Sequence, residues 1–525
     1  MARERWGSRL GVILAVAGSA IGLGNFLRFP GQAMRNGGGA FMIPYFVSLV
    51  LLGLPLMWIE WTVGRLGGGF GHSTAPGMFH TLWNKNRFIK YFGVIGIFGP
   101  VAIFIYYTYI ESWLLGYSYF AITGKYAACT TEASVKAFLN GYRGLAQNEY
   151  FSSLLTAYVF FLITFAANVA VVCAGIQKGI ERVCKYGLAM LFLFGAVLVV
   201  RVFLLGTPDP ALPDRSVEQG LGSLWNPRWS ELGSARVWLA AAGQIFFTLS
   251  VGIGVILTYA SYLTPKDDVA LSGLTAASAN EVAEVILGGS IVIPAAVAFF
   301  GVAATKEIAT RGTFDLGAVA MPLLLNKIPL GGVFGFMWFA LLFLAGVTSS
   351  ISLAQPAVAF LEDEFNFSRR KSAAVFAVVT FVLCQPVIFF LGHGVLDELD
   401  FWAGNFFLVV FATIETILFG WVFGIDKAWT EIHVGSDITI PRVYRFIIKY
   451  VTPLFLLIIL GAWVTQEALP VLLMRKMAGT ENEPVPATDI WYVRGTRAVL
   501  VLLFAVLAFA VWRVWRRRRL RGGTP

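Results

Sequence analysis

The sequence predicts an all-α integral membrane protein with about twelve transmembrane helices. Of its 525 residues, 57% are hydrophobic and only 13% are charged, and the mean hydropathy is +0.73, too apolar for a soluble domain. Apolar runs of roughly 20 residues, the length that crosses a bilayer as helix, recur from Leu10 to Trp512. Runs such as 154–172 and 451–464 lack the period-two alternation of barrel strands. Two of the runs carry the same interruption at their centres, Ala20-Ile21-Gly22-Leu23-Gly24 and Ser250-Val251-Gly252-Ile253-Gly254.

In order, the expected spans are 10–34, 41–66, 91–120, 154–173, 186–205, 237–263, 271–303, 332–361, 373–391, 401–423, 444–465 and 497–512. Basic residues near helix ends stay on the cytoplasmic side. Arg3, Arg5 and Arg9 precede the first span, and Arg513, Arg516, Arg517, Arg518, Arg519 and Arg521 follow the last. Both termini are therefore expected in the cytoplasm, which requires an even number of crossings. Lys178, Arg182 and Lys185, and then Arg369, Arg370 and Lys371, fall on that same side. The long connections 123–151, 206–235 and 466–497 then lie outside. Pro208, Pro210, Pro213 and Pro227 mark the second of these as irregular. Spans one to five (1–205) and six to ten (236–425) form two groups, each opened by an interrupted helix and separated by the loop 206–235. Five crossings per group force opposite orientations, an inverted repeat. Spans eleven and twelve (426–512) and a basic tail (513–525) follow.

The formal charge of +10 sits at span ends, where topology accounts for it, so nucleic acid is not an expected partner. The basic start and Ala17-Gly18-Ser19-Ala20 resemble a cleavable signal, but apolar sequence continues through Phe29, so the first helix itself is expected to direct insertion. Cys129, Cys173, Cys184 and Cys384 form no paired spacing, and the four histidines are scattered. No HExxH, GxxxxGK[ST] or GxSxG motif occurs, which leaves neither a catalytic constellation nor an ATP cradle. The chain is not expected to be an enzyme.

Broken backbone inside a bilayer leaves N–H and C=O groups unpaired, and is tolerated only where protein or a polar cavity satisfies them. Matched interruptions in corresponding halves point to a transporter's central site. Gly18, Ser19 and Asn25 flank the first break and Thr248 and Ser250 the second. Further polar residues enter apolar helices at Asn280 with Glu284 and at Thr348-Ser349-Ser350. Amide, hydroxyl and freed carbonyl oxygens suit a hard cation, with sodium the natural candidate. A half-helix whose N-terminus faces the gap attracts a carboxylate, and one that ends there offers carbonyls to cations. Together these describe a zwitterionic amino acid bound beside metal ions.

Nearly the whole chain resembles the neurotransmitter:sodium symporter family, close to its bacterial leucine transporter, which defines the LeuT fold with a 5+5 inverted repeat and helices 1 and 6 unwound at mid-membrane. The resemblance is carried by Gly22-Leu23-Gly24-Asn25-Phe26-Leu27-Arg28-Phe29-Pro30, Asn36-Gly37-Gly38-Gly39-Ala40-Phe41, Gly243-Gln244-Ile245-Phe246-Phe247-Thr248-Leu249-Ser250 and Thr348-Ser349-Ser350. It implies a first sodium site of Ala20, Asn25, Thr248, Asn280 and the substrate carboxylate, and a second of Gly18, Ile21, Ala345, Thr348 and Ser349. It further implies a substrate site of Ala20, Ile21, Leu23, Gly24, Ile103, Tyr107, Phe247, Thr248, Ser250, Ile253, Ser349 and Leu353. The carboxylate would meet the Leu23 and Gly24 N–H groups and the Tyr107 hydroxyl. The ammonium would meet the Ala20, Phe247 and Thr248 carbonyls and the Ser250 hydroxyl.

Monoamine-transporting relatives carry an aspartate where this chain has Gly22, so a substrate that brings its own carboxylate is expected. The implied side-chain pocket has no charge to pair a charged substrate, which favours neutral aliphatic amino acids such as leucine, alanine or methionine. Three departures from the leucine transporter leave an aromatic preference open: Ser19 for asparagine, Ile253 for phenylalanine and Ile103 for valine. Glu284 lies one turn from Asn280, on the same helix face. Chloride-dependent relatives hold an anion with a serine at this position, so Glu284 is expected to act as a chloride substitute. Glu281 is expected to be structural, and Glu60 to brace the second break. Arg28 and Asp400 are implied as an outer gate, and Arg3, Trp6, Asp363, Ser261 and Tyr262 as an inner one.

Two sodium ions entering with a neutral zwitterion release about 4.6 kcal/mol per 100 mV and about 2.8 kcal/mol for a tenfold gradient, enough to hold an accumulation of about 10⁵-fold. The expected function is sodium-coupled symport by alternating access, importing neutral amino acids across the plasma membrane of a prokaryote, with lipid, sodium and substrate as partners and a homodimer as the assembly considered. A channel or a proton-coupled exchanger is the competing reading, separated from it by whether uptake needs sodium and saturates.

Overall fold

The computed structural model describes residues 4–311, 315–480 and 483–520. Arg3, implied at the inner gate, and Arg521 of the basic tail lie outside them. Helix α1 (Arg9–Ala20) begins at Ser8, whose hydroxyl caps the Gly11 N–H at 2.9 Å. It ends where Ile21 leaves helical geometry with ψ near 90°, and α2 (Gly24–Arg35) resumes at a 45° bend. Then come α3 (Gly39–Gly69), α4 (Ile89–Thr123), α5 (Leu155–Cys173) and α6 (Ile176–Phe203). The second interrupted helix is α7 (Ala235–Thr248) and α8 (Val255–Ala260). After α9 (Ala270–Phe300) a hairpin of α10 (Val302–Arg311) and α11 (Leu316–Leu325) precedes α12 (Gly331–Phe365). The chain closes with α13 (Arg369–Phe389), α14 (Val395–Ile432), α15 (Val443–Leu472) and α16 (Ile490–Leu520). Among the described residues the only β pairing is an isolated bridge between Gly38 and Pro227.

Ten of the described helices are long and apolar enough to cross a membrane, and two bent pairs, α1 with α2 and α10 with α11, pass the same test together; α7 and α8 fall within the expected sixth span. The spans expected from sequence are all present, several with longer ends. The sequence reading ended the seventh span at 303 and began the eighth at 332, without structure between. The chain instead folds α10 and α11 back over α2. Arg35 donates to the Thr310 carbonyl at 2.7 Å, and Gly317 lies against Leu27 so closely that a Cβ would stand 2.3 Å from its Cδ2.

The two breaks sit at the centre of the bundle, enclosed by α3, α4, α9, α12 and α14. Outer helices expose large apolar side chains, among them Leu193 and Val200 on α6, Val378 and Val382 on α13, Leu454 and Ile458 on α15 and Val501 and Leu502 on α16. A chain in water would bury such faces, whereas a bilayer solvates them.

One end of α16 is held firmly. Trp515 is 2% exposed, packs edge-on to His80 with ring centroids 4.5 Å apart, and accepts Lys90 Nζ over its ring at 4.4 Å. Arg518 pairs with Glu364 at the end of α12 at 2.9 Å. Trp515→Ala empties a packed site and is expected to destabilise the fold by about 3–5 kcal/mol. Thermal unfolding in detergent checks this, with the exposed Trp512→Ala as the control that leaves the melting temperature unchanged.

Candidate functional site

The two breaks are built differently. At the second, Ser250, Gly252 and Gly254 have φ of 53°, 76° and 90°, the left-handed region that favours glycine. Added Cβ atoms would also lie 2.7 Å from the Leu408 carbonyl oxygen at Gly252 and 2.5 Å from the Gly96 carbonyl oxygen at Gly254. The first break needs glycine for space. A Cβ at Gly24 would lie 2.5 Å from Phe247 Cε1, and one at Gly22 3.0 Å from Ser349 Oγ and 3.1 Å from the Tyr107 hydroxyl. The Gly252 N–H donates to Glu60 of α3, which ties the second break to that helix.

A cavity lies between the breaks. Of the twelve residues implied for substrate, eleven line it, from Ala20, Leu23 and Gly24 across to Ile103, Tyr107, Phe247, Thr248, Ser250, Ile253, Ser349 and Leu353. Ile21 does not; its side chain is fully buried elsewhere in the core. The Leu23 N–H donates to the Tyr107 hydroxyl at 3.2 Å. At the opening of α2 the Asn25 N–H meets the Gly22 carbonyl at 3.3 Å while the Leu23 N–H turns to a side-chain hydroxyl, and a helix N-terminus facing a cavity in this way suits a carboxylate.

Beside the cavity a fully buried polar cluster brings the implied first sodium residues together. The Asn25 and Asn280 amides lie 2.8 Å apart. The Asn280 amide stands 3.2 Å from both the Ala20 and Thr248 carbonyl oxygens and 3.0 Å from Thr248 Oγ1. Asn25 Oδ1 accepts the Gly22 N–H at 2.9 Å. Glu284 closes the cluster: it accepts from Gln244 Nε2 at 2.7 Å and Asn25 Nδ2 at 3.1 Å, and contacts the Thr248 hydroxyl. Glu281 is elsewhere on the helix, accepting from the Tyr45 hydroxyl at 2.7 Å. Neutral oxygens with a carboxylate behind them fit a small hard cation.

Across the cavity, α1 meets α12. A Cβ at Gly18 would lie 3.2 Å from Thr348 Cβ. Ser349 Oγ is 3.5 Å from the Gly18 carbonyl, and Thr348 Oγ1 3.1 Å from that of Ala345. These four belong to the implied second sodium set. Among the described residues no hydrogen bond joins the Ile21 carbonyl to them.

Toward the side away from the N-terminus, Phe247 forms a lid. It rests on Gly24, and the Arg28 guanidinium covers its ring at 4.3 Å. Phe247, Gly404 and Leu408 separate this cavity from a second one lined by Arg28, Gln32, Phe246 and Trp463. Arg28 and Asp400, implied as an outer latch, form no ion pair among the described residues. Asp400 instead accepts from the Tyr106 hydroxyl at 2.6 Å and Asn405 Nδ2 at 3.0 Å, so the closure here is aromatic.

At the opposite end Trp6 Nε1 donates to the Tyr259 carbonyl at 2.9 Å, and the Tyr262 hydroxyl accepts from Gln355 at 2.8 Å. Ser261 Oγ donates within its own helix turn to the Thr258 carbonyl at 2.7 Å, and Asp363 accepts the Ser73 N–H at 3.0 Å. Sequence reasoning missed further ties. Glu4 accepts the Ile176 N–H at 3.0 Å, Ser8 Oγ donates to Glu181 at 3.0 Å, and Arg9 pairs with Asp268 at 2.8 Å. It also missed Tyr106, Ser352 and Gly404 in the cavity wall. A lone polar or small residue in an apolar helix gave no spacing by which to find them.

A bundle of this topology, with two helices unwound around a common cavity, defines a membrane transporter of the LeuT fold, not an enzyme. The sodium:neurotransmitter symporter family matches residues 3–142 and 151–473, and the chain belongs to that family. An uncharacterized sodium-dependent transporter of Methanocaldococcus jannaschii is 30% identical over 87% of this chain and 89% of its own. The sodium- and chloride-dependent glycine transporter 2 of Xenopus laevis is 26% identical over 88% of this chain and 64% of its own. The crystal structure of MhsT in complex with L-phenylalanine superimposes with a TM-score of 0.74 at 28% identity, covering 88% of this chain and all of that one. The chain is thus a multi-pass membrane protein that couples the movement of a small molecule to sodium.

Proposed function

We propose that the protein imports a neutral, apolar amino acid with two sodium ions by alternating access, without chloride. The observation that carries the reading is the convergence of the Ala20 and Thr248 carbonyl oxygens and the Thr248 hydroxyl on the Asn280 amide, with the Asn25 amide 2.8 Å away, beside the cavity wall, where an ion would lie next to the bound carboxylate. Ile103, Ile253 and Leu353 give part of the wall an aliphatic character. Glu284 supplies the negative charge that chloride provides elsewhere. The divisions 1–205 and 236–425 act as the two inverted repeats, with both termini in the cytoplasm. The L-phenylalanine complex of MhsT favours a second reading, in which aromatic amino acids are also carried.

Uptake of labelled leucine and phenylalanine into proteoliposomes, driven by an inward sodium gradient and repeated with potassium or without chloride, tests this. Saturable accumulation that needs sodium and ignores chloride is the expected result, and uptake indifferent to sodium overturns it. Asn25→Ala removes a ligand and leaves buried partners unpaired. It is expected to raise the sodium concentration for half-maximal uptake by about tenfold or more.

A further inference from the structure

Two serine hydroxyls in the cavity wall have their hydrogens already committed. Ser19 Oγ and Ser352 Oγ lie 2.7 Å apart, both buried and both lining the cavity. Ser352 Oγ donates to the Ser349 carbonyl, three residues back in α12, at 2.7 Å. A hydroxyl has one proton, so in the contact between the two serines Ser352 accepts and Ser19 donates. Ser19 Oγ is left with lone pairs only. The neighbouring hydroxyls are occupied too: Ser250 Oγ donates to the Ser19 carbonyl at 2.9 Å and Ser349 Oγ to the same oxygen at 3.2 Å. The aliphatic wall of Ile103, Ile253 and Leu353 offers no hydrogen-bond partner.

We infer that Ser19, oriented by Ser352, is a specificity-determining acceptor for a donor on the substrate's side chain, so that a hydroxyl-bearing neutral amino acid such as threonine is carried alongside its isostere valine. The inference rests on the reading of this cavity as the amino-acid site. In that reading the ammonium already has the Ala20, Phe247 and Thr248 carbonyls and Ser250 Oγ, which leaves the Ser19 lone pairs to the side chain. A wall of hydrocarbon alone would set threonine back against valine by about 10- to 100-fold, because its hydroxyl would be buried without a partner. An acceptor with fixed lone pairs removes most of that penalty. It does nothing for valine.

Sodium-driven uptake of labelled valine and threonine by the full-length protein in proteoliposomes tests the inference. The wild type is expected to show KM values for the two within about threefold, while Ser19→Ala raises the threonine KM about tenfold relative to valine, whose own KM moves less than about twofold. Ser352→Ala frees the Ser19 proton to turn toward the substrate and is expected to shift the ratio in the same direction by a smaller factor. A wild type that carries valine but takes threonine more than about thirtyfold less well, or a Ser19→Ala ratio equal to that of the wild type, overturns the inference and leaves the site reading standing. Sodium-independent handling of both amino acids overturns the site reading itself.

Discussion

Replacing Glu284 with serine is expected to stop uptake in chloride-free medium and to make the remaining transport depend on chloride. The carboxylate is fully buried and is held by Gln244 Nε2 at 2.7 Å, Asn25 Nδ2 at 3.1 Å and the Thr248 hydroxyl. Two of these partners, Asn25 and Thr248, belong to the proposed first sodium site. Truncation to serine removes the acceptor and leaves amide and hydroxyl donors aimed at the vacated space, an arrangement that suits a monatomic anion. It also removes a negative charge from beside a bound cation, where the low local dielectric makes the loss large.

Chloride-free uptake by Glu284→Ser should therefore fall about 100-fold or more, the consequence of breaking a buried charge pairing. Adding chloride should recover at least about tenfold of that loss, while the wild type responds to neither change. Glu284→Gln separates charge from shape: it keeps the volume but fills the space a chloride would need, so it should be inactive in both media. A Glu284→Ser protein equally active with and without chloride would mean that the carboxylate is a structural hydrogen-bond acceptor and that the anion argument is mistaken.

The glycine pairs show how far sequence alone reaches. Both breaks were legible because each pair stands where neither a loop nor solvent explains it. The reasons proved separate: positive φ at Gly252 and Gly254, and the closeness of Phe247, Ser349 and Tyr107 at Gly22 and Gly24. Spans were legible from length and hydropathy, whereas the α10–α11 hairpin was not, because the apolar stretch of α11 is too short to cross a membrane and carries no repeat. Within the site, long motifs located the cavity wall. Contacts such as Ser8 with Glu181, or Tyr106 with Asp400, join residues 173 and 294 positions apart and leave no local pattern. On the outer side the Arg28 guanidinium lies over the Phe247 ring and Asp400 accepts from the Tyr106 hydroxyl, contacts that no local pattern marks.

Gly22→Asp is expected to abolish amino-acid uptake while leaving sodium binding in place. A Cβ at this position lies 3.0 Å from Ser349 Oγ and 3.1 Å from the Tyr107 hydroxyl, so even alanine must displace a hydroxyl. An aspartate extends a carboxylate into the cavity on the wall where the substrate's own carboxylate is proposed to bind. Two like charges about 4 Å apart repel by about 4 kcal/mol at an effective dielectric near 20, which alone predicts a loss of about 10³-fold. The fixed carboxylate can still serve as the anionic partner of a sodium ion, since it replaces the group that the substrate would have brought. Two readouts on the same protein separate these effects. Amino-acid binding, followed by scintillation proximity, should vanish. The rise in melting temperature caused by sodium should persist, because a ligand that binds only the folded state stabilises it whatever happens to the substrate. Gly22→Ala is the steric control and is expected to weaken uptake by about tenfold, as two hydroxyls shift without any added charge. Leucine transport by Gly22→Asp with an unchanged KM would place the substrate carboxylate elsewhere and overturn the proposed direct contact between substrate and ion.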